Sequence, residues 1–324
     1  MSTARTRQGM EFKRILLATD FSPASVAAGR VALELASELG AALCLLHIAE
    51  PPMLGPGQAG LAGEIDAGYQ RAEASLLELQ ATATELGLTC EAHLAHGPAA
   101  PGILAAMSKY KASLAVLGTR ALRGLERLCF GSTAEAVLRQ AECPVITVGP
   151  RAAALLGSTL PVGLAPSGPV VFATDFDPAT MDAIRFASTM CAATHSPLHC
   201  LHVLPRSLES APDQHAMKQI LTEALHQVAR ESGAVLPFPV CATSYASEVS
   251  NAVVEYADRQ HARMLVLGVR QASMLHSHLP PHVAYRIITE STCPVLTMAF
   301  GPELVEKHRH SHLDAVGSRD SASV

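Results

Sequence analysis

Gly131-Ser132-Thr133 is the stretch of this chain best suited to chemistry. It opens a helical pattern that places Ala134, Val137, Leu138 and Ala141 on one face. Thirteen residues earlier, the apolar run Leu114 to Leu117 ends at Gly118, as a buried parallel strand should. A glycine-bearing loop between a strand and a helix N-terminus gathers backbone N–H groups at the positive end of a helix dipole. That is an anion site, and in an α/β fold the anion is usually phosphate. Ser132 is the expected N-cap, with Glu135 three residues on completing a capping box. Cys143-Pro144 ends the helix, and Val145 to Val148 reads as the next strand. A second polar group sits at a strand end elsewhere: Arg14 to Asp20 is a buried strand finishing in an acid.

These residues need a scaffold, and the pattern supplies one. After Asp20, Phe21-Ser22-Pro23 turns into a helix with Val26, Val31, Leu35 and Leu39 apolar, stopped by Gly40. Leu43 to Ile48 is the second strand, Pro51 to Gly63 a Pro/Gly-rich loop, and Ile65 to Leu86 a long helix. Thr89 to Ala95 is a third strand, and Gly97-Pro98 turns into a helix through Met107. Strands alternating with helices imply right-handed βαβ units and a parallel sheet covered on both faces.

The pattern then repeats. Val170 to Phe176 echoes Ile15 to Phe21, down to the same Ala-Thr-Asp-Phe, and Cys200 to Val203 echoes Cys44 to Ile48. Leu265 to Arg270 echoes Ala115 to Arg120, and Ser291 to Thr297 echoes Ala141 to Thr147. The offset is 155 residues at the aspartates Asp20 and Asp175, and 150 at the glycines Gly118 and Gly268. An internal duplication fits the length of 324 residues, which exceeds the usual single-domain size. The expected division is a disordered lead-in at 1–11, a first domain at 12–149, an Ala/Gly/Pro/Ser-rich linker at 150–168, a second domain at 169–300 and a disordered polar tail at 301–324.

Composition excludes several classes. Aromatic residues are 4% with no Trp, and the formal net charge is -5, so a base-stacking or generally basic nucleic-acid surface is not expected. The eight cysteines are scattered without a C-x-x-C, which points to a reducing compartment rather than a disulfide framework or a zinc ribbon. The first residues lack an apolar signal core, and no run is long enough to span a membrane, so a cytoplasmic location is expected.

Gly118, two residues, Ala121, nine residues, then Gly131-Ser132 resembles the ATP loop of the universal stress protein family, whose pattern has glycine where this chain has Ala121. The resemblance extends to both halves, between Phe12 and Phe300. It implies two tandem doubly wound domains, each a five-stranded parallel sheet of order 3-2-1-4-5 flanked by helices. Ligands of open α/β sheets bind where the strand order reverses, here between strands 1 and 4. The resemblance further implies that Ala18, Thr19 and Asp20 hold the adenine edge and ribose, with Asp20 a hydroxyl acceptor. Ile48 would pack on the adenine, and Leu117 and Gly118 would pass under ribose and phosphates. Ala121, Gly131, Ser132 and Thr133 would offer backbone and hydroxyl groups to the phosphates. Arg120, Arg123 and Arg127 are candidates for added positive charge. The implied cofactor is ATP, with or without Mg2+. Family members pair through their last strands, so the two halves are expected to form an intramolecular pseudo-dimer, with dimerisation of whole chains left open.

The second half keeps the scaffold but not the loop. Gly268, two residues, Gln271, nine residues, then Pro281-His282 replaces three positions, and proline has no N–H to offer a phosphate. Asp175 reads equally well as a turn-capping acid and as a ribose acceptor. Other patterns carry less. Gly55-Pro56-Gly57-Gln58-Ala59-Gly60 matches G-x-G-x-x-G but lies in a low-complexity loop after strand 2, the wrong place for a dinucleotide fingerprint. There is no Walker A motif, and the turn after Thr19-Asp20 lacks the Ser-Gly-Gly of the ATP pyrophosphatases. His276, His278 and His282, with His308, His310 and His312, read as surface histidines rather than a closed metal site. His47 and His202 sit in strand patterns as hydrogen-bonded core groups. The expected function is ATP binding in the N-terminal half of a stress or signalling module with an unidentified protein partner. The rivals are a scaffold without nucleotide and a slow ATPase; no dedicated catalytic constellation stands near Gly131.

Overall fold

The computed structural model describes residues 12–50, 62–119, 131–157, 168–177, 183–209, 214–232, 239–270 and 282–300. Outside them lie the lead-in, most of the Pro/Gly-rich loop with its G-x-G-x-x-G, Ala121 and its three neighbouring arginines, Pro281, His276, His278 and the tail.

The first half runs β1 (Arg14–Ala18), α1 (Pro23–Leu39), β2 (Ala42–Ala49), α2 (Ala62–Glu85), β3 (Cys90–His96), α3 (Ala99–Lys109), β4 (Leu114–Gly118), α4 (Ser132–Gln140) and β5 (Val145–Val148). The second runs β6 (Val170–Ala173), α6 (Ala183–Thr194), β7 (Leu198–Pro205), α7 (Gln214–Ser232), β8 (Val240–Ala246), α8 (Val249–Arg259), β9 (Met264–Arg270), α9 (His282–Glu290) and β10 (Val295–Phe300). Between them a short helix, α5 (Pro150–Leu156), occupies the beginning of the expected linker. The helix has a local cause. Pro150 is pre-set for the first helical position, the Ala/Leu run favours helix, and Ala152 is fully buried.

Each half has the strand order 3-2-1-4-5, and the halves join into one ten-stranded sheet, β3-β2-β1-β4-β5-β10-β9-β6-β7-β8. All pairings within a half are parallel; the junction of β5 and β10 is antiparallel. Its register, Val145 opposite Thr297, Ile146 opposite Leu296 and Thr147 opposite Val295, maps onto itself under the 150-residue repeat. A pseudo-two-fold therefore passes between Ile146 and Leu296. Pairing satisfies the two edges that the halves would otherwise expose.

Strand alternation divides the core into two layers. Ile15, Leu17, Leu45 and Val116, with Phe172 and Val266 across the junction, face α1, α2, α5, α6 and α7. Leu16, Leu46, Ala115 and Leu117, with Val171 and Leu265, face α3, α4, α8 and α9. Both layers run through the junction, so the halves share their hydrophobic core as well as their sheet. Side chains add to it. The Arg263 guanidinium donates to Glu34 at 2.6 Å and to Glu38 at 2.7 Å, tying the start of β9 to α1. Arg151 in α5 reaches the Glu290 carbonyl at 2.9 Å and Asp258 at 3.1 Å. The Phe12 ring lies 6.2 Å from Phe186.

Candidate functional site

A cleft of about 640 Å³ opens at the carboxyl ends of β1, β2 and β4, where the strand order reverses. Its size suits a small-molecule ligand. β1 contributes Ala18 and the following Thr19 and Asp20; β2 contributes Leu46, His47, Ile48 and Ala49, followed by Glu50; β4 contributes Leu117 and Gly118. The walls come from helices: Gly68, Tyr69 and Ala72 of α2, Ala99 and Ile103 of α3, and Thr133 and Ala134 of α4. Leu46, Ile48, Ala49 and Ile103 give the lining apolar surface, and Thr19, Asp20, His47, Glu50, Tyr69 and Thr133 give it polar groups.

Seven of the ten expected binding residues thus meet around one cleft: Ala18, Thr19, Asp20, Ile48, Leu117, Gly118 and Thr133. Gly131 and Ser132 stand beside them at the beginning of α4, though outside the lining itself. Ala121 lies outside the described residues. Sequence reasoning did not place His47, Glu50, Tyr69 or Ile103 here. Tyr69 and Ile103 come from helix faces whose periodicity marks burial without saying what they are buried beside.

The turn after β1 has a definite construction. Thr19 is buried, and its Oγ1 accepts from the Phe21 N–H at 3.1 Å. Asp20 Oδ1 accepts from the Ser22 N–H at 3.0 Å. Phe21 adopts φ 57°, in the left-handed region that costs a bulky residue free energy. Its ring packs 5.0 Å from His47, whose Nδ1 sits 2.8 Å from the Thr19 carbonyl oxygen. The second half rebuilds every piece. Thr174 and Asp175 accept from Phe176 and Asp177 at 2.9 and 3.0 Å, Phe176 has φ 59°, and His202 Nδ1 lies 2.8 Å from the Thr174 carbonyl. His47 and His202 are the hydrogen-bonded groups expected. Asp20 and Asp175 both serve as turn acceptors, whatever else they bind.

Gly118 also has an internal reason. A Cβ there would collide with the backbone of Ala24 and Ser25, so glycine lets the first turn of α1 press against β4. Gly131 is different. Its φ is -61°, open to any residue, and an added Cβ would lie 3.4 Å from Thr119 Oγ1, an ordinary contact. Among the described residues nothing requires glycine at position 131.

The start of α4 corrects the expected capping box. Gly131 is the N-cap, and Ser132 is already inside the helix. Having no side chain, Gly131 cannot cap. The Glu135 carboxylate turns instead to Arg139 at 2.6 Å, an i,i+4 pair. The first turn of α4 is therefore left without a side-chain cap. At α3 the opposite holds: Glu50 Oε1 accepts from the Ala99 N–H at 2.8 Å. At the cleft, α1 is capped by Ser22 and α3 by the Glu50 carboxylate, whereas α4 has no side-chain cap.

No group of three or more metal-ligating side chains is gathered among the described residues, and no described helix is long and apolar enough to cross a membrane.

Two doubly wound halves, the first with a cleft at its switch point, define an α/β protein of the Rossmann-like class. Residues 11–149 and 167–298 each match the universal stress protein family model, and the chain belongs to that family. A universal stress protein of Methanocaldococcus jannaschii is 30% identical over 139 residues, covering 42% of this chain and 82% of that protein. One from Thermus aquaticus is 36% identical over 138 residues, covering 42% and 98%. A solved universal stress protein structure from Archaeoglobus fulgidus superposes with a TM-score of 0.66 at 19% identity, covering 91% of this chain and 99% of that one. A functionally unknown Pseudomonas aeruginosa protein does so at 0.58 and 15%, covering 94% and 98%. Likeness at these identities shows the shared fold, including its two-domain extent.

Proposed function

We propose that the N-terminal half binds ATP in the β1–β4 cleft, and that the chain is a cytoplasmic, nucleotide-responsive stress or signalling module. The observation that carries this reading is the start of α4, which has no side-chain cap and contributes Thr133 to a cleft lined by both apolar and polar groups. Adenine suits Leu46, Ile48 and Ile103, a ribose hydroxyl suits Asp20, and the phosphates suit Thr133 with the N–H groups following Gly131. Gly131 supports the same reading, because its lack of a side chain serves no described neighbour. The seven described cysteines are free thiols, in keeping with a reducing compartment.

A scaffold without nucleotide is the second reading. Gly118 and Asp20 favour it, because each already has a structural task within the chain. In either case β5 and β10 are used inside the chain, so a dimer of whole chains, or a partner protein, must use another surface.

The test is titration of the purified full chain with ATP, with and without magnesium. Asp20→Asn keeps a turn acceptor but removes charge, and should weaken ATP about five- to ten-fold. Asp175→Asn should leave affinity unchanged. No ATP binding by the parent chain would favour the scaffold, and equal effects of the two substitutions, or none, would contradict the placement of the ribose at Asp20.

A further inference from the structure

Among the described residues lining the cleft, Tyr69 is the one aromatic ring other than the His47 imidazole. It comes from α2, and its ring is held by His96 at the end of β3, with centroids 4.8 Å apart and planes at 84°. An edge-to-face pair uses at most one face of the tyrosine ring, so at least one face remains for a flat ligand. Ile48 is seated with comparable definition. An added Cβ at Gly102, inside α3, would come within 2.9 Å of Ile48 Cδ1, so the isoleucine side chain occupies the space that a side chain at 102 would take. Both residues line the cleft, and both are positioned by neighbours, Tyr69 by His96 and Ile48 by Gly102.

We infer that Tyr69 is a stacking platform for the base and makes the cleft selective for purines over pyrimidines, with Gly102 setting the width of the base end by letting Ile48 lie back. The inference rests on the nucleotide reading above and adds its base specificity. The larger purine ring system overlaps more of an aromatic face than a pyrimidine does. Ring overlap rewards the larger flat ring system, whereas aliphatic contacts grade with size alone.

The experiment measures ATP and CTP affinities of the full chain and of Tyr69→Phe, Tyr69→Leu and Gly102→Ala, with the melting temperature of each. The parent chain should prefer ATP over CTP by at least ten-fold. Tyr69→Phe should keep that preference, because the ring and not the hydroxyl does the stacking. Tyr69→Leu preserves bulk but should weaken ATP about ten-fold and bring the two nucleotides within a factor of two or three. Gly102→Ala replaces a glycine in a helix interior, so it should not lower the melting temperature, yet it should weaken ATP by pushing Ile48 toward the base. It also keeps the test alive should Tyr69→Leu fold poorly. Unchanged ATP preference in Tyr69→Leu, or full affinity in Gly102→Ala, would overturn the inference while leaving ATP binding intact. A parent chain that binds neither nucleotide would overturn the underlying reading and this inference with it.

Discussion

Gly149 lies directly against the carbonyl oxygen of Ile288: a Cβ at position 149 would run into it. The contact joins the segment after β5 in the first half to α9 in the second, and Gly149 has φ -73°, so closeness rather than backbone conformation is what demands glycine. The two halves are thus fitted at the backbone as well as hydrogen-bonded along β5 and β10.

Gly149→Ala should therefore destabilise the whole chain by about 1–3 kcal/mol, the usual cost of forcing atoms into a packed interior. Urea unfolding of the variant, followed by far-UV circular dichroism, reads the loss. A midpoint equal to that of the parent chain would mean that the junction is looser than described.

Arg263 makes a second, electrostatic demand on the same junction. Its side chain and that of Glu34 are each only 8% exposed, with Glu38 at 21%. Arg263→Met would remove the cation that the buried Glu34 and part-buried Glu38 carboxylates share, and should cost about 3–5 kcal/mol. Converting Glu34 and Glu38 to Gln and Met in the same chain should recover much of that loss, because the penalty comes from the stranded charge. If the triple variant is no more stable than Arg263→Met alone, the account of this cluster fails.

Burial also sets the alkaline limit of stability. It pushes the Cys44, Cys143 and Cys191 thiols from 9.0 to about 12, and Cys90 and Cys293 to about 11. The unfolded chain releases these protons first as pH rises, so the folded state holds more protons between pH 9 and 12. Stability is then full below about pH 9 and falls through that window. Denaturation at pH 7.5 and 10.5 should show the decline, and Cys191→Ala should make it shallower. The buried Cys44 and Cys191 thiols should also react slowly with a disulfide reagent at pH 8 in the folded protein. Rapid modification of Cys44 or Cys191 without unfolding would contradict this.

The sequence made the architecture legible because the duplication repeats both the strand ends and the turn chemistry, as at Thr19-Asp20-Phe21 and Thr174-Asp175-Phe176. The strand order 3-2-1-4-5 came with the family resemblance and is what the sheet shows. Three things were not legible. Ser132 looked like a cap because Ser-x-x-Glu is a capping signature, but the helix starts one residue sooner and Glu135 prefers Arg139. The helix Pro150–Leu156 was hidden in a linker-like composition and depends on the packing of Ala152 against the rest of the chain. Tyr69 and Ile103 could not be placed at the cleft, since nothing local says which wall α2 and α3 present to it. Close backbone approach, as at Gly118 and Gly149, is a tertiary fact with no signature beyond the glycine itself.

The most direct measurement is calorimetric titration of the full chain with ATP, alongside Gly131→Val. One site per chain is predicted, in the N-terminal half, because α4 begins at an uncapped glycine whereas Pro281 precedes α9 and has no N–H to give. Valine at 131 fits the observed φ of -61° and should cost the fold only about 1 kcal/mol as a poorer N-cap, yet it should abolish the binding heat. A stoichiometry near two, or undiminished ATP binding by Gly131→Val, would contradict the assignment of this cleft as a single nucleotide site.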